Sequence, residues 1–423
     1  MINITFRSSF LNAEIVSNPK PSSFQLPSSV DGDKYADAQK KQSTYVNEFG
    51  KSLIDSLKKE GGNLFVSPYS VHTALMMVYN GATAETKDVF SNVLRLYTLP
   101  EGENPLDLQG IITVGSETDQ SMKLFISANS IWIRDSFHVY DTFVSETEKA
   151  FNASVEVMSF QGSGAVNKVN QWVNKNTNGL IKKVINKLTP RDQMVLVNTL
   201  YFKQPWAKQF KKSNTQQRDF FLIDGTPTKC DMMQQTSKFY YCDKSDAKMV
   251  SLPFKDENAQ LLIILPKMSG EKALQDVASR YLDDAWLKEV LASMSYTNIA
   301  LGLPRFKVEY EKELNDALTV MGLGLAFTND ASFNQISKEK IQISSVIHKT
   351  VLDIDENGVE AAAATAVVMR MMASINDMSF PVPFEVDRPF ITVLYNRKSN
   401  MVYFSGIIRD VGGKRGSWDS QEL

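Results

Sequence analysis

Few residues in this 423-residue chain could do chemistry of their own. The three histidines, His72, His138 and His348, lie far apart, and no two have metal-ligand spacing. A serine nucleophile elbow needs Gly-x-Ser-x-Gly, and none occurs. A phosphate loop, a Gly-x-Gly-x-x-Gly turn, a His-Glu-x-x-His helix and an EF-hand loop are also missing. Two cysteines cannot make a cysteine zinc cluster. Cys230 and Cys242 fall on what read as two strands. They suit a hairpin disulfide or two packed thiols, and packed thiols are the expectation. No catalytic residue, metal or cofactor is therefore expected, and the chain does not read as an enzyme.

The stretch with unusual potential is 355–380. One reading is an alanine-rich helix capped at Asn357. That is the reading propensity favours, and a second also fits. From Glu356 to Phe380 there is no proline, and after Gly358 no glycine. The first half is small and uncharged apart from Glu360. Such a segment can lie exposed in one state and join a sheet as a strand in another, because nothing in it forbids a ladder. Periodicity does not choose between the two.

Either reading needs a scaffold. Apolar residues make up 43% and charged residues 22%, enough for a large core and against a disordered chain. A formal charge of −2 argues against nucleic acid held by bulk charge. No apolar run approaches the about 20 residues of a membrane-spanning helix. The first residues lack an apolar h-region, so a cleaved secretory signal is not expected. The lack of acid before Glu14 keeps a transit-type leader as the alternative. A cytoplasmic or unconventionally secreted protein is expected, with sequons at Asn3 and Asn152 relevant only on export. Residues 1–33 read as a flexible arm, 34–410 as one domain and 411–423 as a polar tail. Tyr45, Val46, Phe49, Leu53, Ile54 and Leu57 share one helical face, and a second helix follows over 70–79. Strands are expected over 122–133, 195–202, 259–265 and 341–354. A hairpin is expected from 391–395 and 401–404. Early helices and later strands favour an α+β fold.

Four strings, in order, resemble the serpins, a family of serine protease inhibitors. They are Asn63-Leu-Phe-Val-Ser-Pro-Tyr-Ser70, Asn198-Thr-Leu-Tyr-Phe-Lys-Gln-Pro-Trp206, Gly358-Val-Glu-Ala-Ala-Ala-Ala-Thr365 and Phe384-Glu-Val-Asp-Arg-Pro-Phe390. The likeness covers nearly all of 34–410. Departures are Gln204-Pro205 where a glycine is usual, Thr392 where an apolar residue is usual, and the tail.

The resemblance implies one domain of three β-sheets and eight or nine helices, with an exposed reactive-centre loop at about 356–383. It implies suicide inhibition: a protease cleaves the loop and is acylated, and the loop then inserts as a strand of the main sheet. The native state would be metastable, held by a barrier. The hinge would be Glu356, Gly358, Val359, Glu360, Ala361, Ala362, Ala363, Ala364 and Thr365. Of these, Val359, Ala361, Ala363 and Thr365 would face the core once inserted. The family spacing puts the scissile bond after Met372, before Ala373, which suits elastase- or chymotrypsin-like enzymes. The loop looks a few residues longer than usual, so Met371 and Arg370 are alternatives, and Arg370 would suit trypsin-like enzymes. Met369, Met371, Met372 and Met378 could make inhibition sensitive to oxidation. Ser67, Ser70, Asn198 and His348 match the shutter that controls sheet opening. Glu356 and Arg305 match the breach ion pair near Trp206. The region 97–110, matching the heparin-binding helix of some members, has no Lys or Arg, so heparin is not expected. Lys182, Lys183 and Lys187 read as a solvated face. The expected partner is a target serine protease in a covalent acyl complex, acting outside the cell. The inhibitor itself is expected to be a monomer without nucleic acid or membrane. The alternatives are a non-inhibitory chaperone, carrier or storage role, and cross-class inhibition of papain-like cysteine proteases.

Overall fold

Caps and breakers in the sequence start the first two helices. Asp31 accepts from the Lys34 N–H at 2.8 Å and opens the helix Gly32–Leu57. Ser67 caps the helix Pro68–Tyr79, with Pro68 at its first turn, where a missing N–H costs nothing. The first helix buries the face Tyr45, Val46, Phe49, Leu53, Ile54 and Leu57. The second is almost wholly buried and forms the central helix of the fold. The computed structural model describes residues 24–119, 122, 125–202, 204–359 and 380–412. Among the described residues there are nine α-helices, the last being the short Asn315–Leu318. None is long and apolar enough to cross a membrane.

Strands follow the expected runs to within a few residues and hydrogen-bond along two paths. The first sheet runs Ser154–Met158, Phe125–Arg134, Met194–Phe202, Ile343–Ile354, with Phe306–Glu313 on the outer side of Ile343–Ile354. Two short strands, Gly358–Val359 and Gln204–Pro205, complete it at one end. The second path runs from Leu64–Val66 through the hairpin Phe390–Asn396 and Val402–Ile408 to Ala259–Pro266, Ala247–Pro253, Pro227–Asp243, Ser295–Pro304 and Val382–Glu385. The expected second and third sheets are thus continuous. The long strand Pro227–Asp243 pairs with Gln216–Phe221 at its start and with Ala247–Pro253 at its end.

Two expectations change. Cys230 and Cys242 lie on that one strand rather than on two, and both are free and buried. Twelve residues of strand separate them by roughly 40 Å, so no disulfide can join them. The chain also meets the core before residue 34. Phe24 is buried, and its ring fills the space left by the missing side chain of Gly110, where a Cβ would stand 3.1 Å away.

The two ends of the domain are joined by Arg409. It grips Glu271 through Nε at 3.0 Å and Nη2 at 2.6 Å. It also donates to the Lys58 and Gly62 carbonyls just past the first helix. Arg409→Ala would leave those carbonyls and a carboxylate without their donor. We expect a loss of about 1–3 kcal/mol, read as a lower urea midpoint. An unchanged midpoint would show that water replaces the arginine without loss.

Candidate functional site

The centre of the first sheet carries a row of polar residues in an otherwise apolar layer. Met194–Phe202 is buried at every position, and Asn198 is the one amide within it. Pairing register places Asn129 and His348 directly beside Asn198 on the flanking strands. Asn198 Nδ2 donates to the Ser70 carbonyl at 2.9 Å, and also toward Ser70 Oγ and Asn129 Oδ1. Its Oδ1 faces His348 Nδ1 at 2.8 Å. Ser67 N–H points at His348 Nε2 at 3.0 Å, and Ser67 Oγ donates to the Tyr403 carbonyl at 2.6 Å. The cluster ties the start of the central helix to three strands at once.

These partners fix the imidazole. Ser67 N–H can only donate, so Nε2 must be the lone-pair nitrogen. Nδ1 then carries the proton and gives it to Asn198 Oδ1, whose amide nitrogen is used elsewhere. A second proton on Nε2 would meet a donor and no acceptor. Burial alone pushes His348 down to about 3. His72, buried under Tyr45 and bonded to the Leu94 carbonyl, is pushed down to about 4 by burial. Neither is placed to act as a base on a substrate.

Strand Met194–Phe202 pairs with Ile343–Ile354 directly and in parallel, from Met194↔Ile343 to Tyr201↔Val351. Beyond that point the two diverge, and Gly358–Val359 lies between their continuations. It is antiparallel to both, with Val359 opposite Ile354 on one side and Gln204 on the other. Val359 is fully buried. Gly358 has φ +136, and a Cβ there would fall 2.3 Å from the Gln204 carbonyl oxygen, so only glycine fits. Asp355–Gly358 is a turn, not a helix start, and Asn357 does not act as an N-cap. The helical reading of this segment therefore fails where it was to begin.

Trp206 roofs this end of the sheet. It stacks on Phe254 at 4.5 Å, and its Nε1 donates to the Asp355 carbonyl at 2.9 Å. The expected ion pair of Arg305 with Glu356 is not formed. Glu356 is buried and turns its carboxylate to Thr215 Oγ1 at 2.8 Å, while its carbonyl accepts from Phe210 N–H. Arg305 gives its backbone N–H to the Asp231 carbonyl, and its Nε is buried without a partner. The turn has aimed Glu356 at the segment after Trp206 and away from Arg305.

The structure thus brings Ser67, Ser70, Asn198 and His348 together, and places Trp206, Glu356, Gly358 and Val359 around one end of the same seam. Residues 360–365, Arg370, Met371, Met372 and Ala373 lie outside the described residues. The helix expected within 97–110 runs over Pro105–Thr118, and it carries Asp107 and Glu117 but no Lys or Arg. Among the described residues no group of three or more His, Cys, Asp or Glu could hold a metal. Sequence reasoning missed Asn129, Thr215 and Asp355. The signal for Asn129 was an amide within a run ending Ile131-Trp132-Ile133. The signal for Asp355 was the spacing Asp-x-Asn-Gly, a turn pattern. Thr215 had none.

Comparison with known proteins gives a consistent result. The family model described as serpin (serine protease inhibitor) matches residues 44–411. An uncharacterized serpin-like protein of Thermococcus kodakarensis is 31% identical, with 85% of this chain and 84% of the relative covered. Neuroserpin of Homo sapiens is 30% identical over 82% of this chain and 86% of its own. The crystal structure of the mouse protein-Z dependent protease inhibitor superposes with a TM-score of 0.80 at 24% identity. It covers 90% of this chain and 100% of that one.

The buried histidines make stability depend on pH. Their values lie below the ordinary 6.5, so between pH 6.5 and about 3 to 4 the unfolded chain holds protons that the folded chain refuses. This contribution is complete above pH 6.5. It is lost on acidification, by about 1.4 kcal/mol per pH unit for each histidine. His348→Gln should weaken the protein at pH 7 and flatten its dependence. The gap from wild type should close by about 2 kcal/mol between pH 6.5 and 5, read by urea unfolding. Parallel curves would remove His348 as a source of the slope.

Proposed function

The chain belongs to the serpin family, and we propose that it is an irreversible, suicide-substrate inhibitor of serine proteases, cleaved after Met372. The target's active-site serine attacks the Met372 carbonyl carbon. The Met372–Ala373 peptide bond breaks, and the protease's own base delivers the proton to the Ala373 amine. An ester then joins the two proteins. Water would hydrolyse it, so inhibition requires that insertion outrun hydrolysis.

One observation carries this reading: Gly358 and Val359, near the start of the loop, already stand as a strand between the two halves of the seam. Continuing the Ile354↔Val359 register would place Ala361 opposite Leu352, Ala363 opposite Thr350 and Thr365 opposite His348. Leu352, Thr350 and His348 are buried, and directly paired residues share a face of the sheet. The small side chains of the hinge would therefore enter the core. The same register brings Arg370 level with Ile343, the first residue of that strand and so the last that the inserting loop would meet. A bond cut after Met372 leaves the whole strand length free to insert. A cut after Arg370 just suffices and leaves no slack. The apolar Met372 suits a target with an apolar primary pocket, of elastase or chymotrypsin type.

Incubation with a panel of elastase, chymotrypsin, trypsin and cathepsin-type proteases should give an SDS-resistant band at the summed mass. Mass spectrometry of the released peptide should find Ala373 at its N-terminus. Clean cleavage without such a band across the panel would favour a non-inhibitory role. Val359→Arg should keep the fold, expel the hinge from the seam and raise the stoichiometry of inhibition several-fold, because an unpaired charge would have to be buried. An unchanged yield of complex would sink that account of the hinge.

A further inference from the structure

The reversal between Ile354 and Val359 is built on one side chain. Asp355 Oδ1 accepts from Asn357 N–H at 2.7 Å and from Gly358 N–H at 3.0 Å. Asn357 Nδ2 reaches Oδ2 at 3.3 Å. The backbone closes the same turn, with Asp355 N–H on the Gly358 carbonyl at 2.9 Å. The turn is also docked: Trp206 Nε1 bonds the Asp355 carbonyl, Phe210 N–H the Glu356 carbonyl and Trp206 N–H the Asn357 carbonyl.

An inserting strand must find its register, since a slip of one residue turns every side chain to the wrong face. The stretch Ala361-Ala362-Ala363-Ala364 has no means of choosing. Adjacent alanines are interchangeable, so between Glu360 and Thr365 the side chains themselves do not distinguish the correct register from a slipped one. In a hairpin the turn sets the register instead. We propose that Asp355 is a positioning residue for loop insertion: by holding this turn it fixes the register in which the loop enters the sheet. This rests on the inhibitory reading above.

The test compares Asp355→Ala, which removes the acceptor, with Asp355→Asn, which keeps a carbonyl oxygen at Oδ1. In the intact proteins, hydrogen exchange at the Asn357 and Gly358 amides should be at least tenfold faster in D355A and close to wild type in D355N. With a protease that the wild type traps, D355A should be cleaved at the wild-type rate. Its stoichiometry of inhibition should nevertheless be at least threefold higher, with D355N restoring most of the difference. Equal stoichiometry for D355A and wild type overturns the positioning role. So does a D355N as defective as D355A, since the acceptor would then not be what matters. A wild type that is cleaved but traps nothing instead overturns the inhibitory reading. Equal exchange in all three proteins would then overturn the turn's dependence on Asp355 as well.

Discussion

The structure turns on one contact: the parallel pairing of Met194–Phe202 with Ile343–Ile354. Both strands lie inside a sheet, where neighbours are normally permanent. Parallel ladders are slightly weaker per residue than antiparallel ones. A strand inserted here would be antiparallel to both neighbours, as Gly358–Val359 already is. Each residue that enters replaces one parallel pair by two antiparallel ones. On the proposed mechanism the resting fold would thus be closed at its centre by the less favourable of two pairings, with the better partner attached to the same chain.

The side-chain hydrogen bonds across the seam are polar contacts at its centre. The row Asn129–Asn198–His348 crosses three strands, and Ser67 and Ser70 link it to the central helix. Parting the two strands would take Asn198 from His348 in a buried site, where an unpaired polar group is costly. The neutral tautomer is part of this cluster, because only the lone pair on Nε2 can receive the Ser67 N–H. A proton added at Nε2 would set a donor against the Ser67 N–H at the centre of the row. The histidines that looked too few for an enzyme are here structural hydrogen-bond carriers.

Much of this was legible in the sequence where a residue's neighbours are close in the chain. The apolar faces and the hairpin around Asn396–Asn400 are local features and read well, whereas the cap at Asp31 fell inside the stretch read as a flexible arm. The shutter residues were found through a motif resemblance, because nothing local joins Ser67 to His348. The failures share one cause. The Arg305–Glu356 pair and the two-strand placement of the cysteines depend on where distant segments are aimed. Glu356 is redirected by the turn at Asp355, and Pro227–Asp243 runs straight through a position where a hairpin was expected. Asn129 was hidden because a lone amide in a strand has meaning only once its cross-strand neighbours are known.

The geometry also explains why cutting the loop, rather than merely binding it, would release the better pairing. The uncut loop is fixed at both ends, by Val359 in the seam and by Val382–Glu385, which is paired with Ile299–Gly302. A strand laid beside Ile343–Ile354 in the existing register would use residues 359–370 and extend for roughly 40 Å. Residues 371–381 would then have to reach back from the foot of the sheet to Val382. Their fully extended reach is itself only roughly 40 Å, and full extension sacrifices their conformational freedom. Cleavage anywhere near Met372 removes the return path altogether. On the proposed mechanism these two anchors would make one peptide bond the control point. A protease that broke it would, on that mechanism, let the parallel contact give way to the antiparallel one.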